Sequence, residues 1–324
     1  MNKVVLGIDL GGTGVKTALV SEDKVILAQE TRPTQAEQGL DVVLGNMLDS
    51  AEAVIASSGI DRANILGAGI GAPGPSNWQE GIVYSPPNLP GWKDVPLAKL
   101  MADRLGFSCF IENDANAACY GEYWMGAGQD STNMCVLTLG TGVGGGIVTH
   151  GKLLRGIDGT AGEIGHLKVL RDGRLCGCGA HGCLESYGSV TGLTWTAREG
   201  LEAGIQSTLT EACKGDLSTL TGKMVSDAAV AGDAFANEVL DETATWLGIG
   251  ISSLINIFNP EKIVLCGGMI AAGERLFKPI RESAKARSFP VPAERVEIVA
   301  GALGNDSGVL GCAGVALERA TGNS

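Results

Sequence analysis

Positive charge is scarce in this sequence, and so are long apolar runs. Its 24 lysine and arginine residues face 36 aspartates and glutamates, which gives a formal net charge of −12. A field of this sign repels nucleic-acid phosphates and anionic membranes, so we expect neither as a partner. The longest apolar segment, TWLGIGISSLINIF (residues 245–258), is shorter than the roughly 20 residues of a membrane-spanning helix and predicts a buried helix instead.

A secretory signal and a disulfide framework are also missing from the pattern. The amino terminus, MNKVVLGIDLGG, interrupts its apolar run with glycine and aspartate before it could form a signal-peptide core. The 9 cysteines are an odd set scattered through predicted strands and helices, which suits the reducing cytosol better than a disulfide-stapled domain. We therefore expect a cytoplasmic protein. Its 324 residues are enough for two domains with separate cores.

Two segments of the chain share one plan. Residues 3–30 read as strand, glycine turn, strand, charged turn and strand, and residues 134–155 repeat this order with Gly140 in the place of Gly11. A repeat at this separation predicts a duplicated unit rather than a solenoid, whose period is roughly 50 residues or fewer. Helical patterns alternate with strand patterns elsewhere, which indicates an α/β protein.

The remaining patterns place a boundary between two lobes. Residues 40–59 and 95–106 predict helices, and residues 65–75, 107–114 and 262–268 predict strands that end in loops. The apolar helix ends at Asn259-Pro260, and a final helix begins near Asp306. We expect a small lobe of residues 1–112, joined by the final helix of residues 306–324, and a large lobe of residues 113–305.

Two glycine-rich loops are candidates for phosphate binding. DLGGTGVK (residues 9–16) brings backbone N–H groups close to an anion, while Asp9 could hold a metal through water and Lys16 could meet a phosphate; an ordinary turn capped by Asp9 is the alternative. LGTGVGGG (residues 139–146) fits G-x-G-x-x-G, but a strand pattern follows it where a dinucleotide site needs a helix, and neither loop is a P-loop. The pair predicts two hairpins that face one nucleotide.

A cluster of soft ligands follows the second loop. His166, Cys176, Cys178 and Cys183 supply one nitrogen and three sulfurs, enough for a closed tetrahedral zinc site without a position for water. Such a site is structural. A redox pair of Cys176 and Cys178 and a catalytic metal are the alternatives, and His181 is a spare ligand that could replace His166.

Five motifs in order, DLGGTGVK, ENDANAA, LGTGVGGG, GEIGH and CGCGAHGCLE, resemble the ROK family of sugar kinases and sugar-responsive repressors, within the actin, hexokinase and Hsp70 superfamily. The resemblance spans nearly the whole chain. It implies a two-lobed actin-like ATPase (ribonuclease H-like) fold with duplicated βββαβα units and a cleft between the lobes. It also implies Mg-ATP as phosphoryl donor, a hexose as acceptor, and a homodimer.

The resemblance assigns roles to individual residues. It makes Asp114 the catalytic base, where the local sequence alone allows a helix N-cap equally well. It implies sugar contacts at Asn113, Asp114, Glu163, His166 and Glu185, and it favours His166 over His181 as the zinc ligand. In the loop YSPPNLPGW, Asn88 offers donors and acceptors to a sugar, and NLPGW resembles glucokinase-type members. The expected nucleotide-binding residues are Asp9, Gly11, Gly12, Thr13, Lys16, Gly140, Thr141, Gly142, Gly267 and Gly268.

The expected activity is ATP-dependent phosphorylation of the primary hydroxyl of a hexose, with glucose 6-phosphate formed from glucose. A kinase for N-acetylglucosamine or N-acetylmannosamine is the nearest rival. A ROK repressor would carry a helix-turn-helix domain before the first hairpin, which here begins at Lys3, and the acidic charge also disfavours DNA. A non-catalytic sugar sensor is disfavoured because Asp114 and both glycine loops are intact.

Overall fold

The computed structural model describes residues 3–86 and 88–322. The strands are β1 Val4–Leu10, β2 Gly14–Ser21, β3 Ile26–Pro33, β4 Ile65–Ala72, β5 Ser76–Asn77, β6 Ile82–Val83, β7 Cys109–Asn113, β8 Met134–Leu139, β9 Val143–Thr149, β10 Lys152–Leu153, β11 Lys262–Cys266 and β12 Glu297–Ala300. The helices are α1 Leu40–Ser58, α2 Leu97–Leu105, α3 Asp114–Trp124, α4 Glu185–Gly188, α5 Val190–Glu202, α6 Leu209–Ala212, α7 Gly222–Val230, α8 Ala234–Phe258, α9 Glu274–Arg287, α10 Pro290–Arg295 and α11 Ser307–Thr321. Within these residues, none of the helices has both the length and the apolar character that crossing a membrane requires.

The first sheet has the strand order β3-β2-β1-β4-β7. The first three strands form an antiparallel meander, and β4 and β7 run parallel to β1. Parallel strands present their carboxyl ends at one edge, where ligands usually bind in open α/β sheets. In this register Asp9 pairs with Gly71, and Ala72 pairs with Asn113, so Asp9 and Asn113 lie at the same edge.

The second sheet repeats the first. Its order is β10-β9-β8-β11-β12, with β10 antiparallel to β9 and both β8 and β12 parallel to β11. The same succession of hairpin strands and parallel strands confirms the duplication that was predicted from the two glycine loops.

The chain divides into two compact units. The first contains residues 1–132, 146–162 and 302–324, and the second contains residues 133–145 and 163–301. The expected lobe boundary at Glu112 thus falls inside the first unit, which continues through α3. The chain returns to this unit within β9 and again before α11.

The final helix packs on the first sheet. Its residues Val309, Leu310 and Ala313 form a buried cluster with Val5 and Val20 of that sheet. The approach is close, because a Cβ at Gly7 or at Gly69 would overlap the backbone of α11. The last helix therefore completes the unit that β1 begins.

The predicted helix boundaries follow from local chemistry. Helices α1 and α2 end at Gly59 and Gly106, both in the left-handed conformation that glycine adopts at little cost. The long apolar helix α8 ends at Asn259, with a φ of 44°, directly before Pro260. The loop before α2 places Trp92, 4 % exposed, in the core of the first unit, so it fills the core and is not available to stack on a sugar.

Candidate active site

The first glycine hairpin lies between β1 and β2. Gly11 N donates to Gly14 O at 2.9 Å, and Asp9 faces Lys16 across the strand pair. The loop before α2 reaches the hairpin, since a Cβ at Gly12 would lie 3.2 Å from Asn88 Cβ. A predicted sugar contact and a predicted phosphate loop are therefore neighbours in the first unit.

Asp9 is buried beside a second carboxylate. Burial, and to a lesser extent the charge of Asp114, raise its pKa to about 6 against the opposing effect of Lys16. A Cβ at Gly308 of α11 would overlap the Asp9 carboxylate, so the final helix covers this group. Two carboxylates at one strand edge form a place where a divalent cation would be stabilised.

Lys16 has an acidic partner that the sequence did not suggest. Its Nζ lies 2.7 Å from Asp306 Oδ1 and donates to Asn305 O at 3.0 Å. Burial acts to raise the pKa of Asp306, but hydrogen bonds from Lys16 and Gln29 outweigh it, and the pKa is lowered. The ammonium has three donors, so a contact with a phosphate would use the one that these two partners leave.

Asp114 is the first residue of α3, and the cap of this helix is its neighbour. Asn113 Oδ1 accepts from Ala115 N at 2.9 Å and from Asn116 N at 3.1 Å, as an N-cap side chain does. Asp114 Oδ1 accepts from Ala115 N at 2.8 Å. The capping role considered for Asp114 thus belongs to Asn113, whose Nδ2 is the group that can donate to a substrate.

A buried ion network lies directly behind these residues, and the sequence analysis missed it. Arg155 Nε lies 2.7 Å from Glu112 Oε2, and its Nη2 lies 3.0 Å from Glu318 Oε2. Glu112 Oε1 also accepts from Asn113 N and from the Asn116 side chain, each at 3.2 Å. The network fixes the end of β7 and the start of α3. Its members are 43 and 163 residues apart in the chain, so no local pattern indicates it.

The second glycine hairpin lies between β8 and β9 and is tighter. Gly140 N donates to Gly142 O at 3.0 Å. The amino end of α5 holds its outer side: Val190 N donates to Gly140 O at 2.9 Å, and Thr191 Oγ1 donates to Thr141 O at 2.7 Å. The hairpin carbonyls are thereby fixed by neighbouring donors.

Gly267 and Gly268 follow β11 and reach the same hairpin. Gly267 has a φ of 94°, and a Cβ there would overlap the backbone of Leu139, the residue before Gly140. A Cβ at Gly268 would meet open space within 4 Å among the described residues. A flat group such as a nucleobase can therefore approach the backbone at Gly268.

His166, Cys176, Cys178 and Cys183 come together in the second unit. Their ligand atoms all lie within 4.8 Å of one another. Two Sγ atoms, of Cys178 and Cys183, are 3.7 Å apart. A tetrahedron with Zn–S bonds of about 2.3 Å has S···S separations of about 3.8 Å, so the donor set fits zinc in chemistry and in size. The spare histidine, His181, is exposed and its Nδ1 is 2.9 Å from Gly173 O.

A lysine that the sequence analysis did not consider adjoins the thiols. Lys168 Nζ donates to Cys183 Sγ at 2.7 Å, and this hydrogen bond raises the pKa of Lys168. Three thiolates around one divalent ion carry a net negative charge, which a neighbouring ammonium offsets. The only sequence signal is the basic residue two positions after His166.

The two ring nitrogens of His166 have different neighbours. Its Nδ1 lies 3.7 Å from Cys176 Sγ, and its Nε2 lies 3.9 Å from Glu163 Oε2. One nitrogen thus faces the thiols while the other faces an exposed carboxylate. This arrangement allows one ring to bind a metal and to contact a second ligand.

Glu185 begins α4, directly after the cysteine loop. Its Oε2 accepts from Val143 N at 3.0 Å, and its Oε1 lies 3.6 Å from Cys176 Sγ. The carboxylate therefore bridges the soft-ligand cluster and the second glycine hairpin. The predicted site residues consequently form two groups, one in each unit: Asp9, Gly11, Gly12, Thr13, Lys16, Asn88, Asn113 and Asp114 in the first, and the others in the second.

Comparison with known proteins identifies similar sequences and structures. A model of the ROK family matches residues 5–319. A glucokinase from Thermotoga maritima is 41% identical over 98% of this chain and 98% of its own length, and one from Halalkalibacterium halodurans is 40% identical over 94% and 92%. The structure of a ROK family glucokinase from Streptomyces griseus, in complex with glucose and AMPPNP, superposes with a TM-score of 0.79 at 34% identity, covering 97% of this chain and 99% of that one. The predicted two-lobed actin-like ATPase fold is confirmed.

Proposed function

The chain belongs to the ROK family, and we propose that it is a glucokinase-type sugar kinase that transfers the γ-phosphoryl group of ATP to the primary hydroxyl of glucose. One observation carries the proposal: Asp114 lies close enough to Asp9, beside the first glycine hairpin, for its charge to raise the pKa of Asp9. Similarity to two glucokinases over nearly the whole chain supports glucose as the acceptor.

In the proposed reaction Asp114 is the general base. Its carboxylate accepts the proton of the primary hydroxyl while that oxygen attacks the γ-phosphorus, and ADP leaves with the electrons of the broken phosphoanhydride bond. The capped first turn of α3 holds Asp114 in place, which favours an aligned attack. Asp9 would hold Mg²⁺ through water, and this ion neutralises phosphate charge when bound.

The two hairpins would bind the nucleotide. Backbone N–H groups of residues 11–13 and 140–142 suit phosphate oxygens, and Gly267 and Gly268 suit the adenosine because they lack side chains. For Lys16, the ion pair with Asp306 supports a role in holding α11 in place, and phosphate binding is the alternative.

The sugar would be bound by amides and carboxylates. Asn88 and Asn113 offer donors, while the ionised Glu163 and Glu185 accept from hydroxyl groups. We propose that His166 contributes Nε2 to the sugar and Nδ1 to the metal, because these two nitrogens face Glu163 and Cys176 respectively.

The soft-ligand cluster would hold one structural zinc ion. Cys176, Cys178 and Cys183 would bind it as thiolates together with His166, which leaves no position for water. Zinc would act on catalysis indirectly, by fixing the segments that carry Glu163 and Glu185. A homodimer and a cytoplasmic location are further proposals that rest on the resemblance to the family and on composition.

A coupled assay of ADP release tests the function. We would compare glucose, mannose, fructose, N-acetylglucosamine and N-acetylmannosamine with ATP as donor, and expect the highest kcat/KM for glucose. A preference for either N-acetylhexosamine would overturn the assignment of the acceptor. Turnover of none of the five sugars, with glucose binding retained, would instead support a non-catalytic sensor.

A further inference from the structure

The second glycine hairpin and a sugar-binding carboxylate share a hydrogen bond. Val143 is the residue directly after the turn Gly140–Gly142, and its N donates to Glu185 Oε2 at 3.0 Å. The same Oε2 occupies the space next to Gly142, because a Cβ at Gly142 would overlap it. The position of this carboxylate thus depends on a residue expected to bind phosphate.

The segment that follows Glu185 strengthens the connection. Val190 and Thr191 donate to the carbonyls of Gly140 and Thr141. Ser189, between α4 and α5, caps α5 by accepting from Gly192 N at 3.0 Å. Residues 185–191 therefore hold the hairpin at three points, and Glu185 is the one of them whose side chain also faces the cysteine loop.

We propose that Glu185 is a positioning residue that couples sugar binding to the geometry of the second phosphate hairpin. The inference rests on the proposed function, since it takes Glu185 as a sugar contact. With Oε2 held by Val143 N, Oε1, which lies 3.6 Å from Cys176 Sγ, is the oxygen left to accept from a sugar hydroxyl. A shift of the hairpin moves Oε1, and a hydroxyl that draws the carboxylate away loosens the hairpin, so each ligand changes the affinity for the other.

The first unit offers an instructive contrast. Gly12 of its hairpin also adjoins a predicted sugar contact, but a Cβ there would come only within 3.2 Å of Asn88 Cβ. The Asn88 amide is not among the groups that bond the first hairpin in the described part of the chain. Coupling through a side-chain hydrogen bond is therefore proposed for the second hairpin alone.

Two alanine substitutions test the proposal without nucleotide present. Gly142→Ala introduces a methyl group where Glu185 Oε2 lies, and the end of a flexible side chain can move aside without breaking the fold. Gly140→Ala is the matched control, since its Cβ would meet no described atom within 4 Å and neither glycine has a positive φ. We expect calorimetry to show glucose affinity about tenfold weaker in Gly142→Ala, the scale of one hydrogen bond to a charged group. In Gly140→Ala it should change by less than about twofold.

The reciprocal measurement uses Glu185 itself and AMPPNP without sugar. Glu185→Ala should weaken AMPPNP binding several-fold, and Glu185→Gln should restore it, because its amide oxygen can still accept from Val143 N. Metal analysis would show whether each variant keeps its zinc. Unchanged glucose affinity in Gly142→Ala, or unchanged AMPPNP affinity in Glu185→Ala, would overturn the coupling. Failure of the wild-type protein to bind glucose would contradict the proposed function instead.

Discussion

The two glycine hairpins have the same place in two sheets of the same strand order, yet their surroundings differ. The first has charged residues of its own, Asp9 and Lys16, and lies beside Asp114. The second, LGTGVGGG, has no charged residue, and Thr138 stands where the first has Asp9. Its acidic neighbour, Glu185, comes from a distant segment and is bound through the backbone.

The two repeated units therefore share their strand order, but the side chains near their hairpins differ in chemistry. The first unit carries the groups that can move a proton and hold a cation. The second carries the soft-ligand cluster and the carboxylates suited to sugar hydroxyls. Substitution of Asp114 in the first unit should therefore change turnover, whereas substitutions in the cysteine loop of the second should change sugar affinity first.

The largest effect should come from Asp114→Asn, in the first unit. Loss of a general base typically lowers kcat by roughly a hundredfold or more, while glucose affinity should stay nearly intact. Steady-state kinetics and calorimetry separate the two quantities. Asp103→Asn, an exposed residue of α2 paired with Lys99, is the matched control. If Asp114→Asn keeps more than half of the wild-type kcat, Asp114 is not the base.

The corresponding test of the second unit is Cys178→Ala. We expect loss of one zinc per chain, a KM for glucose raised roughly tenfold or more, lower thermal stability, and a smaller change in the KM for ATP. Cys213→Ala, a buried cysteine outside the cluster, should keep the metal. Near-normal glucose affinity with abolished turnover would point to a catalytic metal. Wild-type protein without zinc, whose loop cysteines all react quickly with a thiol reagent, would favour the redox pair.

A third prediction uses the charge that only the first hairpin carries. The pKa of Asp9 in the folded protein is about 6, above its ordinary 3.8, so the ionised form opposes folding and stability falls as pH rises between these values. Asp9→Asn should therefore raise the free energy of unfolding at pH 7.5 by on the order of 2 kcal/mol while lowering activity. The gain should vanish below about pH 4. Thermal denaturation at both pH values measures it, and an equal gain at both would contradict the assignment.

The smallest effect should come from Asp233, a carboxylate of the second unit whose pKa is lowered where that of Asp9 is raised. Asp233 caps α8 and accepts from Ala236 N, Thr208 N and Ser207 Oγ. Burial acts to raise its pKa, but these hydrogen bonds lower it to about 2. Asp233→Ala should cost about 1 kcal/mol at neutral pH, as a lost N-cap does. The cost should shrink as the pH falls from about 4 towards 2, because both forms then lack an ionised cap. A cost independent of pH would argue against the ionic contribution.

Local patterns predicted much of the fold. Both hairpins, the helices α1, α2 and α11 and the end of α8 follow from periodicity, glycine turns and Asn259-Pro260, whose effects are short in range. The helices between Val190 and Val230 and the strand β12 were not predicted. Five motifs located most of the candidate residues, and the loop YSPPNLPGW and the glycine pair after β11 supplied Asn88, Gly267 and Gly268. The structure groups these residues by unit.

The sequence could not indicate ion pairs and hydrogen bonds between residues that only the folded chain brings together. From the sequence, Lys16 was expected to bind a phosphate, but in the structure it is paired with Asp306. Asp114 was a candidate helix cap, but Asn113 is the residue that caps α3. The ion network of Arg155 joins segments far apart in the chain. Such pairings depend on sheet order and on the return of α11, which no local window contains.

The return of α11 also sets an order of assembly during synthesis. The strand β1 leaves the ribosome before the other strands and helices described here, but its unit stays incomplete until residues 302–324 have emerged. Until then Lys16 lacks Asp306 and Arg155 lacks Glu318, although every residue proposed for binding or turnover has already been made. A nascent chain therefore holds Asp9 without the helix that covers it, and we expect competence for phosphoryl transfer only after α11 has been made.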